Sequence, residues 1–118
     1  MPVIISLISG FLYWKWGNEM KKEWFARLNG LGINEVSNEN MTIYFINEEN
    51  VDEAVKDLSR KVKWDENWLI IGFEDETDDV IFINQLTGEV CTAYEFEKSW
   101  EVVSLFSSVN EFLKAYGY

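Results

Sequence analysis

Two uninterrupted apolar runs, Trp68–Phe73 and Val80–Ile83, break the mixed pattern of the rest of the chain. They are rich in β-branched and aromatic residues and too short for helices, so they predict buried strands. Between them lies Glu74–Asp79, with five carboxylates in six residues. Unpaired carboxylates are costly to remove from water, so this hexamer predicts a solvated hairpin tip joining two core arms. Gly72 sits inside the first arm, where a glycine marks a bulge or the close approach of another segment.

Elsewhere the pattern alternates or follows a helical period. Met20, Trp24 and Leu28, with Phe25 beside them, predict a helix over Asn18–Leu28, capped by Asn18 and ended by Asn29-Gly30, with Gly32 extending the break. Met41–Ile46 predicts a short strand with Ile43 and Phe45 on one face. Val51, Ala54, Val55, Leu58 and Val62 form one helical face, opened by Asn50 and Glu53 in the manner of a capping box. Trp64 closes that helix or opens the next loop. Asn84–Gly88 is a polar turn. Glu89–Phe96 predicts a third strand, with Val90, Thr92, Tyr94 and Phe96 on one face and Cys91, Ala93 and Glu95 on the other. Trp100–Leu105 predicts an edge strand. Ser108 and Glu111 open a terminal helix whose apolar face is Val109, Phe112, Leu113 and Tyr116, and Gly117 stops it. Strands joined by short turns pair antiparallel. The expected fold is α+β: a mostly antiparallel meander with helices packed on one face, forming a single domain over residues 1–118.

The opening of the chain fits none of these periods. Val3–Trp16 is strongly apolar, yet Ser6, Ser9 and Gly10 interrupt it. It is too short to span a bilayer and lacks the features of a secretory leader. It reads as buried structure or as an interface, through which residues 3–16 could form a homodimer.

Charge narrows the function classes. Net charge is −11, and residues 34–118 hold nineteen of the acids but only six bases. Such a body repels phosphates, so direct nucleic-acid binding is not expected, and a basic protein partner is. The same charge could serve solubility alone. No His is present, which removes the commonest general base and metal ligand, and the single Cys91 excludes an internal disulfide. Cys91 reads as a small core residue, because a thiol nucleophile needs a base beside it. A calcium loop over Glu74–Asp79 lacks the template's central glycine and has Leu86 where a bidentate Glu belongs. Glu95, between Tyr94 and Phe96, is the nearest approach to an isolated acid of the kind hydrolases use, and an outward strand residue is the simpler reading. No catalytic residue, metal or cofactor is expected.

Several stretches resemble the SUKH superfamily in order: Lys22-Glu-Trp-Phe-Ala-Arg-Leu-Asn-Gly30, Trp68-Leu-Ile-Ile-Gly72, the acidic turn, Asp79-Val-Ile-Phe-Ile83, Thr87-Gly-Glu-Val90 and Ser107-Ser-Val-Asn-Glu-Phe-Leu113. The likeness covers roughly residues 20 to 115. The chain departs from the pattern at its start, where Val3–Trp16 replaces an amphipathic helix and a Leu-Pro step, and the only proline is Pro2. The resemblance implies a binding protein with no shared catalytic residues. Bacterial members are typically cytoplasmic immunity proteins that neutralise toxin domains, often nucleases; fungal relatives act in cell-wall regulation and signalling. The docking residues expected from charge and aromatic character are Glu74, Asp75, Glu76, Asp78, Asp79, Glu97, Trp100 and Glu101, with Trp100 equally readable as core. An adaptor that self-associates through the apolar start is the alternative, and a carboxylate hydrolase a weaker third.

Overall fold

Strands build this protein because its apolar runs fall next to residues that turn the chain. The computed structural model describes the backbone of residues 9–118 and the side chains from Glu19 onward. The strands β1 (Glu35–Ser37), β2 (Thr42–Phe45), β3 (Trp68–Glu74), β4 (Val80–Asn84), β5 (Val90–Phe96) and β6 (Ser99–Phe106) form one six-stranded sheet in sequence order. Every neighbouring pair is antiparallel. The helices are α1 (Ser9–Leu31), α2 (Val51–Ser59) and α3 (Val109–Ala115). The α+β class and the antiparallel meander are those the pattern predicts. None of the helices among the described residues is long and apolar enough to cross a membrane.

The chain divides into two compact units, residues 1–32 and 33–118. In the first, α1 starts at Ser9, so Asn18 lies within the helix and not at its cap. Trp24, Phe25 and Leu28 are buried, the stripe expected from their spacing. The helix ends at Gly32 rather than at Asn29-Gly30. Gly32 is the residue with positive φ, 69°, and its N–H donates to the Leu28 carbonyl at 2.9 Å. Residues 1–8 and the side chains before Glu19 lie outside the described residues. With them lie the expected burial of Val3–Trp16 and a homodimer through residues 3–16.

In the second unit the central strands are apolar on both sides, so both faces of the sheet need cover. Ile70, Phe82 and Cys91 face one way and form a core with Ala54 of α2 and with Trp64, while Val55 and Leu58 pack against it. On the opposite face, Phe112 of α3 meets Phe45 at 6.2 Å and Phe106 at 5.3 Å between ring centroids. Helices α2 and α3 therefore take one face each, where the pattern had placed the helices together. Ser108 caps α3 as expected, its Oγ accepting from the Glu111 N–H at 3.1 Å. Asn50 does not cap α2. A 3-10 turn over Glu48–Asn50 leads straight into the helix, and Asn50 is itself helical at φ −100° and ψ −2°, with no side-chain cap. Helix α2 stops at Ser59, so Val62 lies beyond it.

Strand β1 is an element the pattern did not announce. Glu35-Val36-Ser37 is too short and polar to signal a strand by itself. It forms because Val36 pairs with Ile43, and because the Asn38 carboxamide accepts the Asn40 and Met41 N–H groups in the turn to β2.

The β5–β6 connection is a two-residue turn with φ 48° at Glu97 and 66° at Lys98. Positive φ at both central residues defines a type I′ turn, which normally takes Asn-Gly. Neither residue here relieves the Cβ crowding of that conformation. Lys98→Gly is expected to stabilise the fold by up to about 1 kcal/mol, read as a higher denaturation midpoint. An unchanged or lower midpoint would show that the turn carries no such strain.

Candidate binding site at the acidic end of the sheet

Register decides which turns come together. Val80, the first residue of β4, pairs with Ala93 of β5. The Asp75–Asp79 segment that precedes Val80 therefore lies beside the continuation of β5 through Tyr94–Phe96. The β1–β2 turn belongs to the same end, since Ser37 pairs with Thr42 and the Asp75 N–H donates to the Thr42 carbonyl at 2.9 Å. One end of the sheet thus carries Glu39, then Asp75, Glu76, Asp78 and Asp79, then Glu95, Glu97 and Glu101. Lys98 is the sole base within these turns. The ion pair found among the described residues, Arg60–Asp57 at 3.6 Å, lies on α2 and the turn after it and neutralises none of these carboxylates.

Hairpin β5–β6 overhangs β4. Beyond Val80 no strand among the described residues flanks β5 on that side, and Tyr94 and Phe96 are uncovered at 50% and 54% exposure. These two rings were legible as strand residues but not as exposed ones. Alternation assigns a face; it does not reveal where the neighbouring strand stops. Asp75 and Glu35 both raise the proton affinity of the exposed Tyr44 phenol, Asp75 more strongly, so the phenol registers the negative field around it.

Glu74 corrects the picture of a wholly solvated hexamer. It is the last residue of β3 and only 9% exposed. Its Oε2 accepts the Thr77 N–H at 2.6 Å and the Thr77 hydroxyl at 2.8 Å. These charge-assisted bonds offset the loss of water, and the carboxylate holds its own turn closed. Asp78 takes positive φ, 62°, and its N–H donates to the Glu74 carbonyl at 3.0 Å, completing the turn. Asp75, Glu76 and Asp78 are exposed and Asp79 is half-buried.

The bonds from Thr77, backbone first and hydroxyl second, hold the Glu74 carboxyl below the usual glutamate range, against a weaker opposing effect of burial. A depressed folded-state pKa stabilises the fold above the unfolded pKa and loses that contribution as pH falls through the folded value. Glu74→Gln is therefore expected to lower the denaturation midpoint at pH 7. The gap to wild type should close in acid, below about pH 4. A gap that persists unchanged at low pH would assign the effect to packing.

Trp100 is placed by packing. Its ring lies 5.2 Å from Trp64, edge to face, and its Nε1 donates to the Val62 carbonyl at 3.0 Å. It ties β6 to the loop after α2 and is half-buried. Glu97 and Glu101 are exposed, as is Glu95, whose carboxylate accepts the Lys98 N–H at 3.3 Å.

No protein-family model, curated protein or solved structure matches this chain.

The remaining chemistry is local. Cys91 is buried, and burial, followed by the Glu89 charge, pushes its thiol up, which keeps it protonated at neutral pH. Among the described residues no group of three or more His, Cys, Asp or Glu is arranged to hold a metal ion. A groove of about 470 Å³ lies between α2 and the acidic turn. Ile46, Ala54, Leu58 and Phe73 line it, with Asp57, Lys61 and Asp78 among the charged residues around it.

Proposed function

We propose that this protein is a non-enzymatic immunity protein of the cytoplasm that binds a basic toxin domain and neutralises it by occlusion. The observation that supports this most directly is the juxtaposition at one end of the sheet. Exposed carboxylates of the β1–β2, β3–β4 and β5–β6 turns lie at the same end of the sheet as the uncovered rings of Tyr94 and Phe96. Charge of one sign accelerates the approach of a basic surface, and large rings that become desolvated hold the complex. The choice of a toxin, rather than another basic protein, rests on the resemblance of several stretches, in order, to the SUKH pattern. A nuclease domain fits that chemistry, because a protein that grips phosphates is itself basic.

The test is co-expression with a toxin nuclease domain encoded beside the gene, followed by binding measurements on the purified pair. Cells should survive, and binding should weaken by on the order of tenfold or more between low and high salt. Replacing Asp75, Asp78, Asp79 and Glu97 together by their amides should slow association. Replacing Tyr94 and Phe96 by alanine should speed dissociation. Rescue that survives all six changes would place the contact elsewhere.

A further inference from the structure

The two borders of the sheet are unlike. Strand β1 at one border has three residues, whereas β6 at the other has eight. Proteins usually blunt a long border strand with lysine, proline or a covering segment, because its unpaired N–H and C=O groups recruit other strands. Strand β6, Ser99-Trp-Glu-Val-Val-Ser-Leu-Phe106, contains neither lysine nor proline. No backbone bond from another described segment reaches it on the side away from β5. Val102 and Val103 are exposed at 41% and 45%.

Hairpin geometry shows which groups are open. Phe96 and Ser99 flank the two-residue turn and pair with each other. Residues closing such a turn exchange both backbone bonds, and the bonded and non-bonded pairs then alternate along the ladder. Glu101 and Val103, paired with Tyr94 and Thr92, therefore turn their backbone groups toward β5. Trp100, Val102 and Ser104, paired with Glu95, Ala93 and Cys91, turn theirs outward. The register shift at Val90/Cys91 comes only after Ser104, so this run is regular.

We infer that β6 accepts an extended basic segment of a partner protein as a seventh strand. Charge selects the occupant. Glu97 and Glu101 border the open edge on a chain of net charge −11, so a second copy is repelled while a lysine- or arginine-bearing strand is attracted. Side chains of an added strand alternate between the two faces of the sheet. One set meets Trp100 and Val102 and should be apolar; the other meets Glu101 and Val103 and should include a base. This inference rests on the proposed docking of a basic protein and specifies where its backbone binds.

The probe is a peptide of about ten residues alternating lysine and valine, titrated into the full chain at low salt. The expected result is that the amide signals of Trp100, Val102 and Ser104 shift on binding. Two further peptides carry N-methyl groups on one or the other alternating set of backbone nitrogens. One set should weaken binding by on the order of tenfold and the other should leave it unchanged, because only one set of N–H groups faces β6. Val102→Pro removes an outward N–H that no described group uses, so it should weaken binding similarly while the unfolding midpoint stays near wild type. If both methylated peptides bind like the parent, strand addition is overturned while docking on the acidic end stands. No binding of the lysine–valine peptide overturns strand addition, whereas docking of a basic domain on the acidic end stands or falls with the toxin-domain measurements. A dimer that forms without peptide and shifts the same three amides makes a second copy the occupant and overturns the inference.

Discussion

Phe82→Ala is expected to destabilise the fold by about 3–5 kcal/mol, the largest loss from any single truncation considered. Phe82 is fully buried in β4. Its ring stacks on Trp68 at 4.8 Å and meets Trp64 edge to face at 5.2 Å. Trp64 in turn touches Trp68 at 5.1 Å and Trp100 at 5.2 Å, and its Nε1 donates to the Trp68 carbonyl at 2.9 Å. Rings held by hydrogen bonds to separate backbone segments cannot easily collapse into the space a lost phenyl leaves, so the cavity cost adds to the lost transfer energy. The denaturation midpoint should fall by on the order of 15 °C. Phe82→Leu keeps most of the volume and should cost less than half as much. Equal losses from the two variants would mean that ring geometry, rather than volume, dominates. A loss below about 1 kcal/mol for Phe82→Ala would refute the reading of this cluster as the centre of the core.

Gly72→Ala is the second large effect, and it acts through the backbone. A Cβ at Gly72 would lie 2.4 Å from the Tyr44 carbonyl oxygen and 3.1 Å from its carbonyl carbon. Both atoms belong to β2, which pairs with β3 through Phe45 and Gly72, so no side chain can swing aside. Strand β2 must move off β3, at a cost of about 3 kcal/mol. The position also follows a register shift between Ile70 and Gly72 in the β3–β4 ladder. A bulge bends its strand and brings the next one close, which is what this glycine permits. Gly88→Ala is the control. Gly88 has positive φ, 82°, but open space around it, so only the backbone strain of about 1 kcal/mol applies. Chemical denaturation of the two variants should rank Gly72→Ala well below Gly88→Ala; the reverse order would sink the close-approach argument.

Local chemistry explains what could be read in advance. The Trp68–Ile83 hairpin, the Ser108 cap and the β-bulge or close approach at Gly72 each follow from residues within a few positions of one another. The pattern misleads, or leaves a choice open, where a residue's chemistry fits more than one backbone context. Asn18 and Asn50 have capping chemistry, but one lies within α1 and the other is the last residue of a 3-10 turn. Glu74 looked like its acidic neighbours, and only the fold of its turn shows that Thr77 satisfies it. Trp100 could have been contact surface or core until its Nε1 found the Val62 carbonyl, far away in sequence.

The candidate site divides in the same way. Its charge is a property of composition, and the carboxylates of Asp75, Glu76 and Asp78 are exposed at a hairpin tip because a run of unpaired acids has nowhere else to go. That Glu39, Glu95, Glu97 and Glu101 join them at one end is a consequence of strand order and register. Tyr94 and Phe96 stand uncovered beyond the point where β4 starts, at Val80 opposite Ala93.

By itself the sequence determined the antiparallel α+β class, the buried arms around the acidic turn and the excess of negative charge. Each depends on neighbouring residues or on sums over the chain. Tertiary structure alone decided that α2 and α3 sit on opposite faces, that Glu74 turns inward and that Tyr94 and Phe96 stand uncovered. Those depend on which strand ends beside which, and pairing between residues distant in the chain is set by the ladder as a whole.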